Sequence, residues 1–144
     1  MYNFKKNNQK GFTLAELLIV VAIIAVLIAI MIPTFGGQLE KARESADLAN
    51  LRAAYAEATI VYLNDQDSAT ATKQTSTDTT KTVILVSNVK FSQTDGEWST
   101  GATDGLPFGF DPGVKAPKKS NSTVTFTFVN ATGVATVSGY GPTT

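Results

Sequence analysis

The sequence predicts an α+β fold: a long N-terminal helix whose first half spans a membrane, packed by its second half on a small antiparallel sheet of three to four strands. Three observations carry that expectation. From Leu17 to Ile32 every residue is Leu, Ile, Val, Ala or Met; apolar residues then recur at spacings of three and four as far as Leu63; and late in the chain Val and Phe alternate with Thr. A chain of 144 residues holds one globular domain. It has no Cys and no His, which excludes a disulfide framework, a thiol nucleophile, a Cys-based zinc site and an imidazole base. Twelve basic residues balance twelve acidic ones, so charge gives no case for a nucleic-acid partner.

The first element is the apolar run. Extended back to Phe12 it counts 21 residues with only Thr13 and Glu16 as polar interruptions. A helix of that length spans about 30 Å, the thickness of a bilayer's hydrocarbon core. Lys5, Lys6 and Lys10 precede it and no acid occurs in the first eleven residues, so the positive-inside bias keeps the N-terminus in the cytoplasm and exports the rest. A cleaved secretory signal is the rival reading. Its apolar middle runs only about 7 to 15 residues and ends in a small-x-small site, whereas here Phe35 interrupts the best candidate. A carboxylate this close to an apolar run is costly and is usually paired or functional. Taken alone, Glu16 fits that role or a side chain snorkelling to the headgroups.

Its neighbours separate the two. Lys10-Gly11-Phe12-Thr13-Leu14-Ala15-Glu16 is a short basic leader ending in Gly, then an aromatic residue, then Glu at the fifth place after the Gly, with the apolar run following. This strongly resembles the class III signal of type IV pilins and pseudopilins. The resemblance extends over about residues 5 to 35 and includes Pro33, which is the twenty-second residue counted from Phe12. It implies that a prepilin peptidase cuts between Gly11 and Phe12 and methylates the new amine of Phe12. It also implies that Glu16 attracts the amino terminus of a neighbouring subunit during assembly, and that Pro33 kinks the helix. After such a cut nine basic residues face twelve acids, a side-chain charge of about −3 at neutral pH.

Beyond Pro33, the poor helix formers Gly36 and Gly37 loosen the helix without ending it. Leu39, Ala42, Ala46, Ala49, Ala53, Ala56, Ile60 and Leu63 form one small-residue stripe, and Leu48, Leu51, Tyr55, Ala58 and Tyr62 a bulkier one. The bulky stripe is assigned to the sheet and the alanine stripe to neighbouring helices, since small side chains allow close approach. The alternative buries both stripes under one wide domain. Glu40, Lys41, Arg43, Glu44 and Asp47 read as a solvated face with local ion pairs.

Asn64 to Thr82 has no large apolar residue and reads as a long surface loop. Strands are expected over Thr82–Phe91, Thr123–Val129 and Val134–Ser138, the last two joined by a turn at Asn130–Gly133, with a short edge near Trp98. The turn-rich, partly acidic segment from Asp95 to Gly113 lacks the ligand spacing of an EF-hand loop, so no metal site is assigned. Without Cys, packing of Phe108, Phe110 and Tyr140 must hold the C-terminal region.

The expected organisation is a cleaved leader at 1–11, a transmembrane and filament-core segment at 12–35, an exported amphipathic helix at 36–63 and a head at 64–144. The resemblance implies a structural subunit and no enzyme, without cofactor. It would be stored in the cytoplasmic membrane, processed by prepilin peptidase, and polymerised with further copies by a pilus assembly machinery into an extracellular fibre. Two alternatives remain: a pseudopilin of a type II secretion or DNA-uptake apparatus, and a surface binding module tethered by an uncut span.

Overall fold

A computed structural model describes residues 11–142; the leader lysines lie outside the described residues. One helix, α1, runs over Leu14–Asn64 and passes through Pro33 without a break. Proline has no N–H to offer the carbonyl one turn back, and beside it the Thr34 hydroxyl donates to the Ile30 carbonyl at 3.1 Å. The chain divides after Gln38 into two compact units. In the first, every large apolar side chain from Leu14 to Phe35 is exposed; even the most covered, Ile24, is 47 % accessible. This segment is long and apolar enough to cross a membrane.

The second unit pairs the rest of α1 with a five-stranded sheet: β1 (Ala71–Gln74), β2 (Lys81–Phe91), β3 (Gly109–Phe110), β4 (Ser120–Val129) and β5 (Ala135–Pro142), in the order β1-β2-β4-β5-β3. The α+β class is as expected, with two differences in the sheet. It has five strands, and β3 pairs parallel to β5, so it is mixed. Both extra strands escape a search for alternation because β3 has two residues and β1 buries only Ala71. They arise from backbone pairing with a neighbour, which the residue pattern does not record. The segment at 64–82 is therefore not all loop, and Trp98 forms no edge strand but packs against Phe110, ring centroids 5.9 Å apart.

The central strands follow their pattern. Val124, Phe126 and Phe128 of β4 are buried, as are Ile84 and Val86 of β2. In β2 the inward set then shifts by three to Val89, matching Val86↔Val124 and Val89↔Ser122 in the register. One extra residue, with Asn88 at φ 61°, makes a bulge that keeps Val89 and Phe91 on the core side. The β4–β5 hairpin turns as expected: Gly133 has φ 67° and its N–H reaches the Val129 carbonyl at 2.8 Å.

The bulky stripe of α1 faces this sheet. Leu48, Leu51 and Ala58 are buried, and Tyr55 and Tyr62 pack on the core, Tyr62 stacked on Phe128 at 4.5 Å. Every member of the alanine stripe from Leu39 to Leu63 is exposed, which removes the alternative of one wide domain over both stripes. Phe108 is buried against Tyr55 and Phe126, and Tyr140 meets Phe91 edge-on, so these rings hold the C-terminal region without a disulfide.

Candidate assembly site

The start of α1 is built by Thr13 and Glu16. The Thr13 N–H donates to Glu16 Oε2 at 2.8 Å, the Thr13 hydroxyl donates to the same oxygen at 2.7 Å, and the Glu16 N–H donates back to the hydroxyl at 3.2 Å. This is a capping box, in which an N-cap Thr and the Glu three residues on satisfy each other's orphan backbone donors. The negative charge also lies where the helix dipole favours it. The resemblance pairs Glu16 with the amino terminus of a neighbouring subunit; within its own chain the carboxylate is already held by Thr13. The signal was Thr13-Leu14-Ala15-Glu16 itself, an N-cap pattern directly before an apolar run.

Gly11 and Phe12 precede the helix without regular structure. Phe12 is 90 % exposed, and nothing lies within 4 Å of where a Cβ on Gly11 would stand. Among the described residues nothing covers the Gly11–Phe12 bond. The structure brings Gly11, Phe12, Thr13 and Glu16 together at one end of the helix; Pro33 stands elsewhere, inside it.

Sequence reasoning missed a second cluster. Glu40, Glu44 and Asp47 lie on one row of α1 and hold the segment after β2. Asp47, fully buried, accepts the Ser92 N–H at 2.7 and 2.9 Å and the Gln93 N–H at 2.9 Å. Glu44, also buried, accepts the N–H of Ser99 and its hydroxyl, the latter at 2.6 Å. Glu40 accepts the N–H and hydroxyl of Thr94 and the Asp95 N–H. The Thr94 N–H holds the Glu40 carboxyl down to about 2, with Arg43, 3.0 Å away, helping. The expectation of a solvated charged face is corrected, because only the Arg43–Glu40 pair is local. These carboxylates are needed where they are because a loop leaving a sheet strands backbone N–H groups that must find acceptors.

Among the described residues no group of three or more His, Asp or Glu is gathered to hold a metal ion. What the N-terminal cluster offers is an exposed peptide bond, an aromatic residue after it, and a carboxylate at the head of an unburied apolar helix. Residues 6–32 match the family model of the prokaryotic N-terminal methylation motif. The chain carries a class III prepilin leader. No solved structure matches the chain. The prepilin motif ends at Ile32, so the head and its carboxylate row lie outside the match. This is the leader that type IV pilins and pseudopilins carry. The leader implies processing by prepilin peptidase and assembly into pilus-like filaments.

Proposed function

We propose that this protein is the structural subunit of a type IV pilus-like filament. Peptidase cleavage after Gly11 frees the Phe12 amine for methylation, and the apolar helix then polymerises. The observation that carries this reading is the conjunction of the leader with a helix whose apolar side chains find no cover in their own chain. At about 25 cal/mol per Å² such surface cannot stay in water. A bilayer covers it in the precursor, and neighbouring helices cover it in a fibre on the cell surface.

In this mechanism Glu16 exchanges partners. Before assembly its carboxylate is held by Thr13; in the fibre it meets the Phe12 amine of a neighbour, a pairing of unit charges worth about 4 kcal/mol at 4 Å and an effective dielectric near 20. The capping box lowers the penalty on an unassembled subunit and so lowers the net gain on docking. A kink at Pro33 accommodates the helix to its neighbours. The leader is shared with pseudopilins of secretion and DNA-uptake machines, and long surface fibres at native expression separate a pilin from them.

The test is mass spectrometry of subunits from sheared fibres. Chains starting at Phe12 with one methyl group added are expected, and intact leader on fibre subunits defeats the processing step. An uncut but surface-exposed chain would return the protein to a tethered binding module.

A further inference from the structure

From Glu40 onwards α1 sorts its charges by sign. All four of its carboxylates, Glu40, Glu44, Asp47 and Glu57, are spent on the head, Glu57 through the hydroxyls of Ser68 and Thr70. Of its three basic residues Arg43 is paired with Glu40, whereas Lys41 and Arg52 are exposed and make no ion pair among the described residues. Eleven residues apart, Lys41 and Arg52 stand about three turns from one another on the same flank of the helix. Leu63, 73 % exposed, continues that flank, and Ile60, 57 % exposed, lies beside it. This flank of the helix therefore offers Lys41, which borders a groove shared with buried Glu44 and Leu48 and with Ser99 to Ala102 of the same head, together with Arg52 and exposed aliphatic surface.

The opposite charge sits on the turn segment of the head, whose Ser99–Ala102 stretch borders Lys41 in the same copy, whose Gly96 lies under Lys118, and whose Glu97 is paired with Lys115. Asp95, Asp104 and Asp111 stand in the connection between β2 and β4, and none makes an ion pair among the described residues. Positive φ angles at Gly96, Gly101 and Gly105, between 73° and 79°, set the turns that hold Asp95 and Asp104 at the surface.

We propose that the Lys41–Arg52 flank, with Ile60 and Leu63, is a docking surface for the acidic turn segment Asp95–Asp111 of a second copy of the chain. The proposal rests on the filament reading and adds the place and chemistry of a contact between heads. Complementary patches of this kind select the partner and fix register more than they add affinity. Anionic lipid is the competing occupant. Yet Pro33 to Gln38, the stretch next to the apolar run, has no Lys or Arg, and that is where a headgroup-binding helix carries its bases. Phosphates would also leave Ile60 and Leu63 uncovered, whereas a protein partner covers both.

The experiment is charge exchange in the full chain, read as the yield of sheared fibres against subunit content of the membrane fraction. Reversing both Lys41→Glu and Arg52→Glu should cut fibre yield at least about tenfold at unchanged membrane content, since like charges face each other across the contact. Adding Asp95→Lys and Asp104→Lys should restore most of it. An undiminished yield, or a loss that the second pair of reversals leaves in place, overturns the proposal. A loss that tracks depletion from the membrane assigns the flank to lipid and also overturns it. Because the chain has no cysteine, a milder pair gives an independent reading: subunits with Arg52→Cys, co-expressed with subunits carrying Asp95→Cys or Asp104→Cys, should form disulfide-linked dimers on oxidation. If neither combination cross-links, the contact is absent. Wild-type cells without fibres would defeat the filament reading itself, an outcome no head variant can mimic.

Discussion

Replacing Asp47 by Ala should unfasten the segment after β2. The carboxylate is fully buried and accepts the N–H groups of Ser92 and Gln93 at 2.7 to 2.9 Å, so the substitution removes a charge-assisted acceptor and leaves two backbone donors without one. A hydrogen bond to a charged group contributes about 1.5–3 kcal/mol, and a buried donor left unpaired costs about 1–3 kcal/mol. Desolvating the carboxylate offsets part of this, which leaves a net loss of about 3 kcal/mol. For a head of this size that is a fall in Tm of about 15 °C. Against a total stability of about 5–15 kcal/mol it is a large fraction.

Trp98 is the sole tryptophan and sits on the segment that the carboxylates hold, so its fluorescence during thermal unfolding of the detergent-solubilised chain reports the loss where it occurs. Asp47→Asn keeps the shape and one acceptor oxygen but turns an amide towards a donor. It should fall between wild type and Asp47→Ala. A shift below about 3 °C for Asp47→Ala would show that these bonds merely exchange with water at no net gain. Equal shifts for Ala and Asn would show that one neutral acceptor oxygen replaces nothing of the carboxylate, so that its charge and its second oxygen carry the whole effect.

The same row gives a pH dependence. The folded Glu40 carboxyl titrates at about 2 against an ordinary 4.5, so its contribution is complete above pH 4.5 and is lost as pH falls towards 2; Tm measured across that window should decline, and Glu40→Gln should flatten the decline. Burial pushes the Tyr140 phenol up, which makes the folded state favour the neutral ring, so stability is complete below pH 10 and declines above it; absorbance titration should find one tyrosine that ionises only on unfolding. Thr13→Val removes the hydroxyl of the capping box, worth about 0.5–2 kcal/mol of helix start, while Glu16→Ala removes the carboxylate that the neighbour's amine would meet. Membrane insertion of both should stay intact. Fibres should disappear only for Glu16→Ala, and normal fibres from that variant would make Glu16 a capping residue alone.

What was legible in the sequence was whatever repeats. Leu48, Leu51, Tyr55, Ala58 and Tyr62 were placed on the sheet by their spacing, and Val124, Phe126 and Phe128 on one face of a strand by theirs. The leader was legible because a cleavage signal is a local string. Contacts between a side chain and a distant backbone have no period. Asp47 reaches Gln93 across 46 positions, and nothing in Ser92-Gln93-Thr94-Asp95 announces an acceptor on the helix. One clue was available: Glu40, Glu44 and Asp47 continue the row that leads to Leu51, Ala54 and Ala58, so they belonged to the buried side rather than to a solvated one. Strands β1 and β3 were illegible for a related reason, being defined by the partner they pair with.

The helix from Leu39 to Leu63 is divided around its circumference rather than along its length, and that division can be tested without disturbing the head. The inner arc carries the bulky side chains and the carboxylates that hold the loop. The outer arc carries alanines, every one exposed although alanine alone gives water no polar group to bind. A helix that faced only solvent would do as well with Lys or Glu there; close approach of another helix is what makes the small side chain useful. Ala49→Leu separates the two cases. Position 49 is exposed, so head stability should change by less than about 0.5 kcal/mol, seen as an unmoved Tm. If neighbouring helices seat on this arc, three added carbons hold them apart, and fibre yield should fall while the subunit still accumulates in the membrane. Unchanged fibres from Ala49→Leu would show that the arc faces water in the assembled state, and the alanines would then need an explanation in helix propensity alone.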